Sequence, residues 1–184
     1  MKRKDLEENL ELFVEKAKEN DIVLFIPGDP LAATTHIDLV YEAKRRKIAV
    51  KIIHNASIFS AIGEVGLQLY KYGKVATIPL SGKLKNVKDT IKINKKLGLH
   101  TLLLLDIDIE NNIYMKISDA LNMLLNKKMI KETDQLIAFS NAGGNSNIYY
   151  DSVRGLKLKN IESPAVLIIP GKLHFREKDF LEAI

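Results

Sequence analysis

Residues 21–73 alternate short apolar runs with amphipathic stretches: DIVLFIP, HIDLVYEAKRRK, AVKIIHN, then ASIFSAIGEVGLQLYKYG. The two apolar runs are expected to be strands, and the segments between and after them loops and helices. At this spacing consecutive strands can pair only in parallel, through right-handed crossovers. Upstream, residues 5–19 set Leu6, Leu10, Phe13, Val14 and Ala17 at the spacing of one helical face.

This first half is short of strands. Even with VATIP (75–79) as a third, a sheet so small whose central run is apolar on both faces leaves an unpaired edge and uncovered apolar surface. The expectation is that a further segment, or a partner, covers it. A polar, Gly-containing break at LSGKLKNVKD suggests a domain boundary near residues 79–82, giving domains 1–80 and 81–184. Beyond it the pattern predicts a basic helix over 86–96, a strand in HTLLLLDIDI, a helix over 117–126 and a strand QLIAFS. The loop NAGGNSN, a Tyr-rich strand NIYYDSVRG and a last strand AVLIIPG follow.

Composition excludes several classes. The 184 residues are 46% hydrophobic and 28% charged, which separates the chain from disordered sequences. No 18-residue apolar stretch is available to span a membrane, and the start MKRKDLEENLELF lacks the apolar core of a secretory signal. A cytoplasmic protein is expected. Zero cysteines rule out disulfides, thiolate zinc sites and cysteine nucleophiles. The net charge of +5 is spread over scattered lysines with no aromatic-interleaved basic stripe, so nucleic acid is not the expected partner.

Three loops carry the chemistry. In open α/β sheets, ligands bind where loops leave the carboxyl ends of strands. GDPLAATTH is such a loop: Gly28 permits a tight turn, Pro30 fixes φ, and Thr34 or Thr35 can cap the next helix. Asp29 is the residue capping does not need; it either meets a ligand or bonds its own backbone, as turn aspartates often do. In HNASIFSAIG, Asn55 and Ser57 can cap the following helix, and Ile58 is most simply core packing. In AFSNAGGNSN the paired glycines allow close approach to a ligand, or form an ordinary turn.

Other signatures are missing. There is no GxxxxGK[ST], GxGxxG or GxSxG, and the four histidines, His36, His54, His100 and His174, lack zinc-site spacing. Asp106 and Asp108 share a strand face, as either a metal or acid/base pair or a solvated strand end, and the second reading is the simpler.

Taken together, GDPLAATTH, HNASIFSAIGEVGLQLYKYGK, GLHTLLLLDI and IIPGKLHF resemble the diphthine synthases of the tetrapyrrole-methylase superfamily, in order and over nearly the whole chain. The resemblance implies a two-domain α/β fold, here with the first domain truncated at its N-terminus, and S-adenosylmethionine bound in the cleft between the domains. It also implies a homodimer that methylates the amino group of the modified histidine of translation elongation factor 2, in diphthamide biosynthesis, releasing S-adenosylhomocysteine. Carried over residue by residue, the cofactor contacts are Asp29, Ala32, Ser57, Ile58, Leu105, Ser140 and Val166. A sulfonium methyl is already activated, so holding donor and amine in line suffices without a nucleophile. The residue that takes the amine's proton is not identified.

The chain departs from the family pattern in three places. The strand and GLGL loop that open family members precede the point where this sequence starts, Asn141 stands where the family carries a basic residue, and the loop after the third strand is reduced to LSGKLKN. Two readings follow: a methyltransferase whose N-terminal part is supplied by a separate chain or is missing from the sequence as given, or a non-catalytic binding subunit that keeps the fold. A methylase acting on a tetrapyrrole or another small molecule fits less well, because the ATTH and HNAS extensions are not shared.

Overall fold

The computed structural model describes residues 10–184. Asp5 and Leu6 of the first expected helix therefore lie outside the described residues. The chain forms two compact units, Met1–Ser60 and Ala61–Ile184. Residues 61–80, expected with the first half, belong to the second unit.

In the first unit, α1 (Leu10–Lys16) packs on α2 (Ile37–Arg45), burying Val14 and Ala43. Arg46 gathers the acids of both helices: its guanidinium reaches Glu15, Glu11 at 3.4 Å and Glu42 at 3.5 Å. The short helix α3 (Ile58–Ala61) closes the unit and is followed by two 3₁₀ turns, Ile62–Val65 and Leu69–Lys71. The long helix expected there is broken into these pieces around Gly66, whose φ is +76°.

The apolar runs expected as strands, 21–27 and 49–55, are not strands. A strand exists by its ladder, and among the described residues nothing pairs with either run. Their side chains are accordingly left in solvent, Phe25 at 94% and Ile53 at 75% exposure.

The second unit is built on a five-stranded sheet in the order β1 (Ala76–Ile78), β2 (Thr101–Leu105), β7 (Ala165–Ile169), β5 (Gln135–Ser140), β6 (Asn147–Ser152). β1, expected with the first half, pairs with β2 in parallel; the remaining neighbours are antiparallel. Helix α4 (Lys85–Leu97) is the crossover between β1 and β2. A small hairpin, β3 (Ile107–Asp108) and β4 (Ile113–Tyr114), then leads into α5 (Ile117–Asn126). Two further helices, α6 (Val153–Leu158) and α7 (Phe175–Glu182), have no counterpart in the elements expected from periodicity.

The apolar runs of β2 and β5 reflect a sheet covered on both faces. Neighbouring residues point to opposite faces, yet Leu102 and Leu103, Leu136 and Ile137, and Leu167 and Ile168 are all buried. Leu121 and Leu124 of α5, Val87 of α4 and Leu156 of α6 join the core on one face. No helix among the described residues is long and apolar enough to cross a membrane.

Candidate functional site

The first unit places two of the predicted loops together through Asp29. Gly28, at φ +77°, turns the chain, and a side chain there would sit 3.4 Å from the Ala56 carbonyl. Asp29 Oδ1 accepts from the Leu31 amide at 2.9 Å, the local turn bond that the simple reading anticipates. Its Oδ2 reaches the second loop, meeting His54 Nδ1 at 2.7 Å and accepting from the Asn55 amide at 3.3 Å. The Leu31 amide, then His54, hold the Asp29 carboxyl below its ordinary range, so it stays ionised.

The remaining first-unit candidates lie in the same two loops. The Ala32 amide donates to the Asp29 carbonyl at 3.3 Å. Ser57 Oγ accepts from the Phe59 amide at 3.2 Å and so starts α3, as capping predicts, while Asn55 Oδ1 binds the Ala56 amide at 2.8 Å. Ile58 is half-buried. Thr34 and Thr35 do not cap α2; its N-cap is His36, whose Nδ1 lies 2.9 Å from the Pro30 carbonyl. His54, one of the four histidines without zinc-site spacing, is a hydrogen-bonded residue here, and its pairing with Asp29 has no signal in the sequence beyond adjacency to Asn55 at the head of the loop.

The second unit brings Leu105, Ser140 and Val166 to one end of three adjacent strands. Leu105 ends β2, Ser140 ends β5, and β7 begins between them: Leu104 and Phe139 both register with Val166, and Ser140 with Ala165. Leu105, Tyr114, Met115 and Ala165 line a small concavity there. Ser140 is 1% exposed, and its hydroxyl has no hydrogen-bond partner among the described residues. A buried orphan hydroxyl is uncommon, and among the described residues the Tyr72 hydroxyl shares this state.

The neighbouring loop holds Asn141, one of the departures noted above. Asn141 sits at φ +54°, a left-handed conformation asparagine tolerates. Its amide donates to the Pro164 carbonyl at 3.0 Å and its Nδ2 to Glu162 at 3.0 Å, which fixes the rim beside Ser140. Asp106 and Asp108 are spent on turns. Asp106 accepts from the Leu80 and Ile107 amides, each at 3.0 Å, and Asp108 from the Asn111 amide at 3.1 Å.

Residues 2–154 match the family of tetrapyrrole (corrin/porphyrin) methylases, and the chain belongs to that family. Its relatives narrow the kind of methylase. It is 39% identical over 191 residues to a diphthine synthase of Methanococcus maripaludis, covering 98% of this chain and 75% of that protein. With a diphthine synthase of Methanocaldococcus jannaschii it shares 40% over 195 residues, covering 99% of this chain and 76% of the other. A crystal structure of diphthine synthase superposes with a TM-score of 0.90 at 34% identity, covering all of this chain and 73% of that one. The protein is thus a methyltransferase of the diphthine synthase group.

Proposed function

We infer that this chain is an S-adenosylmethionine-dependent methyltransferase of diphthamide biosynthesis, with the modified histidine of translation elongation factor 2 as its substrate. The observation that carries the cofactor assignment is the unpartnered Ser140 hydroxyl, buried at strand ends bordered by Leu105 and Val166. S-adenosylmethionine offers polar edges that a hydroxyl can bind and a flat purine that apolar walls can flank, so these residues fit it.

Each unit supplies part of the binding set. Asp29, Ala32, Ser57 and Ile58 come from the first, with Asp29 fixed as a carboxylate by three donors and able to accept one more. Leu105, Ser140 and Val166 come from the second. The bound cofactor supplies an activated methyl; the chain's own task is to hold donor and acceptor in line and to exclude water. The accepting amine attacks in its neutral form, its proton leaving to solvent or to a neighbouring base.

The same reading includes a cytoplasmic homodimer, which follows from the resemblance alone. It also includes a segment, on this or a separate N-terminal chain, that pairs with the exposed runs around Phe25 and Ile53. A non-catalytic subunit is the disfavoured alternative, since both loop sets keep the groups a cofactor needs.

Calorimetric titration with S-adenosylhomocysteine, followed by transfer of labelled methyl to elongation factor 2 carrying the modified histidine, tests the proposal. Saturable binding and labelling of that histidine are expected. Binding of neither would sink the methyltransferase reading.

A further inference from the structure

Helix α4 breaks two local rules on its outer surface. Its first turn contains no acid, its N-cap Leu84 makes no side-chain bond, and it opens with Lys85, at the end where the helix dipole disfavours cations. Lys88, Lys92 and Lys96 then follow at four-residue spacing, a ladder of like charges that weakens a helix. All these lysines and Lys95 are exposed, against a single acid, Asp89. The lysines that do pair with carboxylates are others, Lys18, Lys71, Lys159 and Lys178; among the described residues none of those on α4 does so.

Lys95 and Lys96, in the last turn, meet the helix dipole favourably; Lys85 and the like-charge ladder cost the fold stability and find no carboxylate partner among the described residues. The face also starts beside the proposed cofactor residues of this unit. β1 ends at Ile78, in register with Leu105, and the loop from β1 to α4 is tied to the residue after Leu105 by the Leu80 amide donating to Asp106 at 3.0 Å. From there the 13-residue helix carries its lysines about 20 Å along the unit's surface.

We propose that the outer face of α4 docks an acidic protein surface, that of the elongation factor substrate; the inference rests on the substrate reading above. Lysine charge is complementary to an acidic surface and steers it from a distance. Two apolar residues one turn apart on the same helix, Ile93 and Leu97, are 40% and 65% exposed and supply contact area once the surfaces meet. The helix has no arginine to fork onto phosphates and no aromatic residue to stack on bases, which favours protein over RNA. A second copy of the same face is disfavoured because two-fold pairing would set lysine against lysine.

The test measures association of purified elongation factor 2 with the immobilised chain over a range of salt. In the K85E/K92E variant, the carboxylate introduced at position 85 meets the helix dipole favourably, and the one at position 92 lies four residues from both Lys88 and Lys96, so folding is preserved. The expected result is an association rate lowered by about tenfold or more at low salt, with a flattened salt dependence. The I93S/L97S variant should instead dissociate several-fold faster, and both variants should keep their affinity for S-adenosylhomocysteine. Unaltered factor binding in both variants overturns the inference. So does a charge-reversal effect confined to a single-stranded RNA probe. If the unaltered chain binds no elongation factor at any salt, the substrate reading falls and this inference with it.

Discussion

His100 Nε2 donates to Glu177 Oε1 at 3.0 Å, joining two fully buried residues that lie far apart in the chain. The His100 tautomer is set by its other nitrogen, because Nδ1 accepts from the Gly171 amide at 2.9 Å. Glu177 also binds the Lys71 ammonium and accepts from the Gln68 amide at 2.9 Å and the His174 amide at 2.7 Å. One carboxylate thus ties the start of α7 to the turn before β1 and to the residue that leads into β2. Gly171 is required at this junction, since a side chain there would meet the Gly98 carbonyl oxygen at 2.4 Å.

Removing the carboxylate leaves the Lys71 and His100 donors and two amides without their acceptor. Glu177→Ala is expected to destabilise the protein by about 3–5 kcal/mol, the range for breaking a buried charged pair. Glu177→Gln should cost less, because the amide oxygen still accepts. Urea denaturation checks both, and an unchanged midpoint for the alanine variant would show the node to be dispensable.

The same node makes stability depend on pH. Burial acts to raise the Glu177 pKa, but Lys71, the His174 and Gln68 amides and His100 outweigh it and bring it from 4.5 to about 2. Its contribution is therefore present above pH 4.5 and is lost as pH falls toward about 2. Burial lowers the His100 pKa below 6.5, so the neutral ring's contribution is complete above that pH and declines in acid. The melting temperature should fall below pH 6.5 and more steeply below 4.5. His100→Gln should remove the upper step and keep the lower one.

Ser140→Ala separates stability from binding. The hydroxyl has no partner among the described residues, so deleting it should leave the melting temperature unchanged or slightly raised. Affinity for S-adenosylhomocysteine should drop by roughly five- to tenfold, about 1 kcal/mol, as one hydrogen bond is lost. Calorimetry on the variant decides this, and unchanged affinity would remove Ser140 from the cofactor set.

Asp29→Ala should act through loop geometry. Without the carboxylate, the Leu31 and Asn55 amides and His54 lose their common acceptor, and the two loops are no longer joined. Affinity for S-adenosylhomocysteine, read by the same titration, is expected to fall on the order of tenfold or more. A His54→Ala variant, which removes one of the three donors, should fall between it and the parent.

The local apolar pattern reveals the elements whose buried positions it spells out. The helix over 117–126 and the strand over 135–140 coincide with α5 and β5, because their apolar spacing answers to a core supplied by this same chain. Residues 21–27 and 49–55 carry an equally strong strand signal and form none, since strand pairing depends on a neighbour that a local pattern does not contain. α6 is hidden because the Tyr-rich run of β6 passes straight into it, at a Ser152 cap whose Oγ accepts from the Gly155 amide. α7 escapes notice because its capping box begins with His174 rather than serine or threonine.

Family membership and the turn-forming residues of the GDPLAATTH and HNASIFSAIG loops are legible in the chain alone, because long motifs and turn-forming residues are local properties. That Asp29 bridges two loops, that β1 joins the second unit's sheet, and that Ser140 is buried without a partner emerge only on folding. Hydrogen-bond satisfaction and strand pairing are relations between residues distant in the chain. They are established only when packing brings those residues within about 3 Å of each other.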